Sequence, residues 1–187
     1  MRLLLAAALT VSVAAGWIWS AADDGTESVS IGRDPADRTT LGPATIGTNA
    51  VLGGAPFPDA VVSALDGTDV STADLVGTPL VVNIWGSTCG PCRRELPDLA
   101  AAHAVYGDRV RFVGISYLGA SEREEAFARE RGVTYELLYD TNGEFITAAG
   151  VAAFPVTLFV TADGTVVEQT GVLDEARLSQ LIEDTLL

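Results

Sequence analysis

Seven consecutive residues, Pro79 to Trp85 (PLVVNIW), are almost wholly apolar and rich in β-branched side chains. A strand that wets one face alternates apolar and polar residues, and this run does not. It predicts a strand buried on both faces, and a sheet built that way needs helices above and below it. The chain from Val51 onward supplies them. Ala60 to Leu65, Asp66-Gly67 and Thr68 to Val70 read as a small hairpin, and Ser71 caps a short turn of helix to Val76. A helix is expected from about Pro91 to Val105, with Pro97 kinking it. Val110 to Ser116 (VRFVGIS) is the next strand. Ser121 to Arg131 is a charged helix stopped by Gly132, and Tyr135 to Tyr139 is a short strand. Asn142-Gly143 turns into a short helix, Glu144 to Ala149. Val156 to Thr161 and Thr165 to Thr170, joined at Asp163-Gly164, form a second hairpin. Asp174 to Leu186 closes the chain as an amphipathic helix capped by Asp174. This order predicts an α/β domain, a central mixed sheet flanked by helices, with parallel strands inside and hairpins adding antiparallel edges.

The chain has two cysteines, in the run Cys89-Gly90-Pro91-Cys92, just after the buried strand and at the start of a helix. A structural disulfide framework uses more cysteines, more widely spaced. A zinc site needs two further soft ligands, which the single His103 cannot supply. The two cysteines therefore serve each other or a transient partner, with no metal and no cofactor expected. Free N–H groups and the helix dipole stabilise an anion at such a position, and thiol pKa values there fall to about 3.5–7.5. Cys89, first and more exposed, is the expected nucleophile, and Cys92, one turn on, resolves the mixed disulfide. Pro91 suits the first helical turn, where no N–H is needed. Arg93 and Arg94 either bias the thiolate or form a solvated helix face. A Cu(I)-binding module is a competing function of a different class, although no Met or His flanks the motif. A peroxidase would need a peroxidatic cysteine in another loop context, and the chain has none.

Leu3 to Ala22 is almost entirely apolar, with Arg2 before it and Asp23-Asp24 after. Twenty helical residues span about 30 Å, the thickness of a bilayer core. Two readings are open: a signal peptide cleaved near Ser20-Ala21-Ala22, or an uncleaved anchor with Trp17 and Trp19 at the interface. Either puts the rest of the chain outside the cytoplasm, with residues 3–22 meeting the membrane. Residues 23–50 are rich in Asp, Thr, Gly and Ser and read as a flexible tether, leaving 51–187 as the domain. The net charge of −14 excludes nucleic acid and anionic headgroups as partners, since both select basic patches.

The segment WGSTCGPCRRELP resembles the active-site segment of the thioredoxin superfamily. GAPFPDAVVSALDGTDVSTADLVGTPLVVNIW and GVAAFPVTLFVTADGTVV extend the likeness to its TlpA/ResA/DsbE-like branch, over nearly all of the chain after the tether. The resemblance implies a thioredoxin-like fold with an added N-terminal β-hairpin. It implies that Pro155 is a cis-proline facing the CxxC and helping to hold substrate backbone, and that Phe154 touches the substrate unless it is core. It implies that Glu95, one turn beyond Cys92, shuttles protons or raises a thiol pKa, the alternative being a surface Glu. Thr88, where many relatives carry an aromatic residue, and Pro91 would line the substrate side. Asn83 replaces the buried carboxylate of thioredoxin proper, which fits this branch. Trp85 reads as core and His103 as a helix-surface residue. The implied activity is thiol–disulfide exchange with exported proteins, including reduction of apocytochrome c thiols in cytochrome c maturation, with a membrane redox partner recycling the pair. An oxidase forming disulfides in exported proteins is the alternative.

Overall fold

The structure is a computed structural model and describes residues 48–187. The leader expected at 1–22, and the tether expected at 23–50 except its last three residues, lie outside the described residues. Among the described residues the chain forms β1 (Val61–Ser63), β2 (Asp69–Ser71), a 3-10 turn (Thr72–Leu75), β3 (Leu80–Trp85), α1 (Gly90–Tyr106), β4 (Arg111–Ser116), α2 (Glu122–Arg129), β5 (Glu136–Tyr139), α3 (Glu144–Ala148), β6 (Val156–Val160), β7 (Val166–Thr170) and α4 (Glu175–Thr185). The strands make one sheet in the order β2-β1-β5-β4-β3-β6-β7. β3, β4 and β5 run parallel, and the remaining pairings are antiparallel.

β3 is buried along its whole length, and its alternation sorts side chains between two cores rather than between core and water. Val81 and Trp85 join α1 and α4 through Leu96, Leu99, Leu178, Leu181 and Ile182. Leu80, Val82 and Ile84 join the other face with Leu75, Phe145, Val156 and Leu158. Each such buried side chain contributes about 1.5–3 kcal/mol. Exposed ion pairs such as Arg129–Glu125 at 2.7 Å contribute at most about 1 kcal/mol, so apolar burial holds the helices on the sheet.

The ends of the elements follow their caps. α1 begins at Gly90 because Cys89 is its N-cap, and Pro97 lies inside the helix. Ser121 accepts from the N–H of Glu124 and Asp174 from that of Arg177. α2 ends at Arg129, two residues before Arg131. The N–H groups of Arg131 and Gly132 tighten onto the carbonyls of Ala128 and Arg129, and Gly132 turns the chain at φ +85°.

His103 lies at the helix surface as expected, with its ring half-buried, edge-on to both Phe112 and Tyr135 at 5.4 Å and hydrogen-bonded to Thr134 at 3.2 Å. Burial lowers its pKa. Contacts with the domain are also made by residues before Val51. The Ala50 N–H donates to the Gly150 carbonyl at 2.9 Å, and the Gln169 side chain bridges the Ala50 carbonyl and the Leu52 N–H, both at 2.9 Å.

Candidate active site

β3 ends at Trp85, and Gly86 to Thr88 deliver Cys89 to the N-terminus of α1. Cys89 and Cys92 are joined as a disulfide, with their Cα atoms 5.3 Å apart. The Cys92 N–H donates to the Cys89 Sγ at 3.2 Å, a contact that stabilises negative charge on that sulfur. Cys92 is 0% exposed and Cys89 is half-buried, so one sulfur faces outward and the other inward.

Glu95, three residues beyond Cys92, shares its buried helix face. It is no surface carboxylate: it is 1% exposed. Its Oε1 accepts from the Asn83 Nδ2 at 2.8 Å, and its Oε2 from the Leu173 N–H at 3.4 Å. Asn83 also donates to the Thr157 Oγ1 at 3.1 Å, which leaves its Oδ1 without a partner. Burial pushes the Glu95 carboxyl up to about 7; the two donors oppose the shift, and Asp98 adds to it. Both its protonated and its ionised forms are therefore within reach near neutral pH.

The Phe154–Pro155 peptide bond is cis. Phe154 is half-buried, packs on both cores and stacks on Tyr117, with centroids 4.0 Å apart and planes 20° apart. The Tyr117 hydroxyl lies 3.1 Å from the Thr88 Oγ1. Thr88 is exposed and Pro91 half-buried on the same stretch as Cys89. Tyr117 thus joins the loop before Cys89 to the loop before Pro155. A Cβ at Gly86 would come within 2.6 Å of the Tyr117 ring, so glycine there lets the ring lie across the loop. Tyr117 is absent from the residues read from sequence. Its signal was its place just past the C-terminal end of a parallel strand, where open α/β sheets build their sites.

Glu124 was missed as well. Ser121-x-x-Glu124 has capping-box spacing, yet the Glu124 carboxylate turns inward. It is 3% exposed and accepts from the Ser87 N–H at 3.0 Å, the Ser87 hydroxyl and the Ser116 hydroxyl at 3.1 Å. It fastens the loop that carries Cys89 to β4 and α2. Arg93 and Arg94 are exposed. Arg94 donates to the Gly90 carbonyl at 3.3 Å, and Arg93 lies 5.6 Å from the centroid of the Phe127 ring. Trp85 is fully buried and stacks on Phe127 at 6.1 Å. Among the described residues no three His, Cys, Asp or Glu side chains gather as a metal's ligands would.

The AhpC/TSA family model matches residues 54–169. The chain is 29% identical over 136 residues to the thiol-disulfide oxidoreductase ResA of Geobacillus thermodenitrificans (strain NG80-2), covering 72% of this chain and 78% of that protein. It is 31% identical over 119 residues to ResA of Bacillus thuringiensis (strain Al Hakam), covering 62% and 68%. Among solved structures, that of a secreted Mycobacterium tuberculosis disulfide oxidoreductase homologous to E. coli DsbE superposes with TM-score 0.59 at 26% identity, covering 67% of this chain and 95% of the other.

Proposed function

The chain belongs to the AhpC/TSA family, has a thioredoxin-like fold and is a thiol–disulfide oxidoreductase of the ResA/DsbE type; from that premise we propose that it exchanges disulfides with exported proteins outside the cytoplasm, apocytochrome c thiols among them. The observation that carries this reading is the disulfide at the helix N-terminus, with Cys89 outward and Cys92 buried. The apolar run from Leu3 to Ala22 and the secreted character of the Mycobacterium tuberculosis relative support the compartment. No helix among the described residues is long and apolar enough to cross a membrane, so a membrane attachment would rest on residues 3–22.

In the reducing direction the Cys89 thiolate attacks one sulfur of a partner disulfide. That S–S bond breaks, a partner thiolate leaves, and a mixed disulfide remains. Cys92 then loses its proton to the Glu95 carboxylate and attacks the Cys89 Sγ. The Cys89–Cys92 bond forms, the second partner sulfur leaves as thiolate, and two electrons have passed to the partner. Thr88, Pro91 and Phe154 line the approach, and the loop at Pro155 holds the partner's backbone. A membrane thiol donor restores the reduced pair. Run backward, the same steps make disulfides.

Cys92→Ser, which stalls the mixed disulfide, together with the reduction potential of the pair, tests this reading. Trapped apocytochrome and a potential near about −270 mV are expected; trapped exported proteins with a potential near about −120 mV would turn the reading into that of an oxidase. Exchange that survives Cys89→Ser would overturn the assignment of the nucleophile.

A further inference from the structure

The loop that leads into Pro155 has almost no regular structure of its own, yet its backbone is held. The Ala152 and Ala153 N–H groups both donate to the Asn49 Oδ1, each at 2.8 Å. The Asn49 Nδ2 donates back to the Ala153 carbonyl at 3.1 Å. The next residue continues the contact: the Ala50 N–H donates to the Gly150 carbonyl at 2.9 Å. A Cβ on Gly150 would fall 2.5 Å from that of Ala50, so the two segments lie in close backbone approach. Phe154, next along, is stacked on Tyr117 from the other side. The loop is therefore clasped between β4's end and a stretch of chain more than a hundred residues earlier.

We propose that Asn49 is a positioning residue for substrate. Through its three hydrogen bonds to Ala152 and Ala153 it fixes the backbone before Phe154–Pro155 in the conformation that receives an extended polypeptide next to a disulfide. The inference rests on the reading that this loop holds partner backbone. Its physical content is preorganisation: a loop already held does not have to be ordered at the moment of binding. A small disulfide has no backbone to present to the loop and needs only Cys89. Asn49 therefore sets selectivity for polypeptide disulfides and leaves the chemistry of the pair alone.

The test uses the full chain, reduced, with Asn49→Ala and Asn49→Asp. Asp keeps an acceptor for both N–H groups and loses only the donor to Ala153. Two probes are used, a short peptide closed by one disulfide and the small aromatic disulfide dithiobis(nitrobenzoate). Asn49→Ala is expected to lower the rate constant for the peptide about tenfold, the equivalent of one or two hydrogen bonds. Its rate with the small disulfide and its reduction potential should stay at the wild-type values, and Asn49→Asp should recover most of the peptide rate. Equal losses on both probes, or no loss on either, would overturn the role of Asn49. A wild-type chain whose peptide-to-small-disulfide rate ratio is no greater than that of a free small-molecule dithiol, which corrects for the better aromatic leaving group, would instead overturn the reading of the loop.

Discussion

A carboxylate at position 95 loses nearly all its hydration and receives two N–H donors in return, from Asn83 and Leu173. The exchange is unfavourable to the ion, and the carboxyl rises to about 7. Between about 4.5 and about 7 the folded chain holds a proton that the unfolded chain has released. Stability therefore falls as pH rises through that window and levels off above it, by on the order of 3 kcal/mol. Thermal unfolding of the oxidised protein should show this decline, and Glu95→Gln, which cannot titrate, should flatten it. A wild-type midpoint that is level across the window would remove Glu95 as a buried acid. Asn83 and Glu95 were each singled out by the resemblance, and the structure pairs them. The Leu173 N–H could not be anticipated, because a backbone donor 78 residues along the chain leaves no trace in residue identity.

At the scale of elements, the charged run from Ser121 to Arg131 announces a helix with a wet face, and α2 is such a helix. What the pattern hides is the single carboxylate turned inward. Glu124 stands among Glu122, Glu125 and Glu130, its spacing from Ser121 points only to a helix cap, and its partners Ser87 and Ser116 come from elsewhere in the fold. Glu124→Ala leaves the Ser87 N–H and the two hydroxyls short of an acceptor and should cost about 2–4 kcal/mol in urea unfolding. Glu124→Gln, which keeps one acceptor oxygen, should cost less. A loss under about 0.5 kcal/mol for the alanine variant would mean the three donors find other acceptors. The strands were legible because burial on both faces writes an uninterrupted apolar run, as in β3. Tyr117 was not, because an aromatic residue after a strand looks the same whether it closes a core or bridges two loops.

For the whole molecule, a net charge of −14 meets three ion pairs among the described residues, so most carboxylates repel one another through solvent. Screening should relieve this: raising NaCl from about 0.01 M to about 0.2 M shortens the Debye length from about 30 Å to under 10 Å and should raise the unfolding midpoint by a few degrees. An unchanged midpoint would mean that the charges are spaced beyond mutual reach. The parallel interior of the sheet and its antiparallel hairpin edges followed from the alternation of strands and helices, while the order of the strands did not. The part played by Asn49 and Ala50 was not legible, because they have the composition of a linker and their partners lie about a hundred residues away.

One consequence follows from the unequal burial of the two sulfurs. With Cys92 sealed at 0% exposure, the molecule has a single door. On the proposed reading, the substrate protein and the donor or acceptor that resets the pair must both use the Cys89 sulfur, so neither can be present while the other is bound. Steady-state turnover should therefore follow a ping-pong pattern, with parallel lines in double-reciprocal plots and inhibition by an excess of either partner. Intersecting lines would mean that a second entrance opens during the cycle.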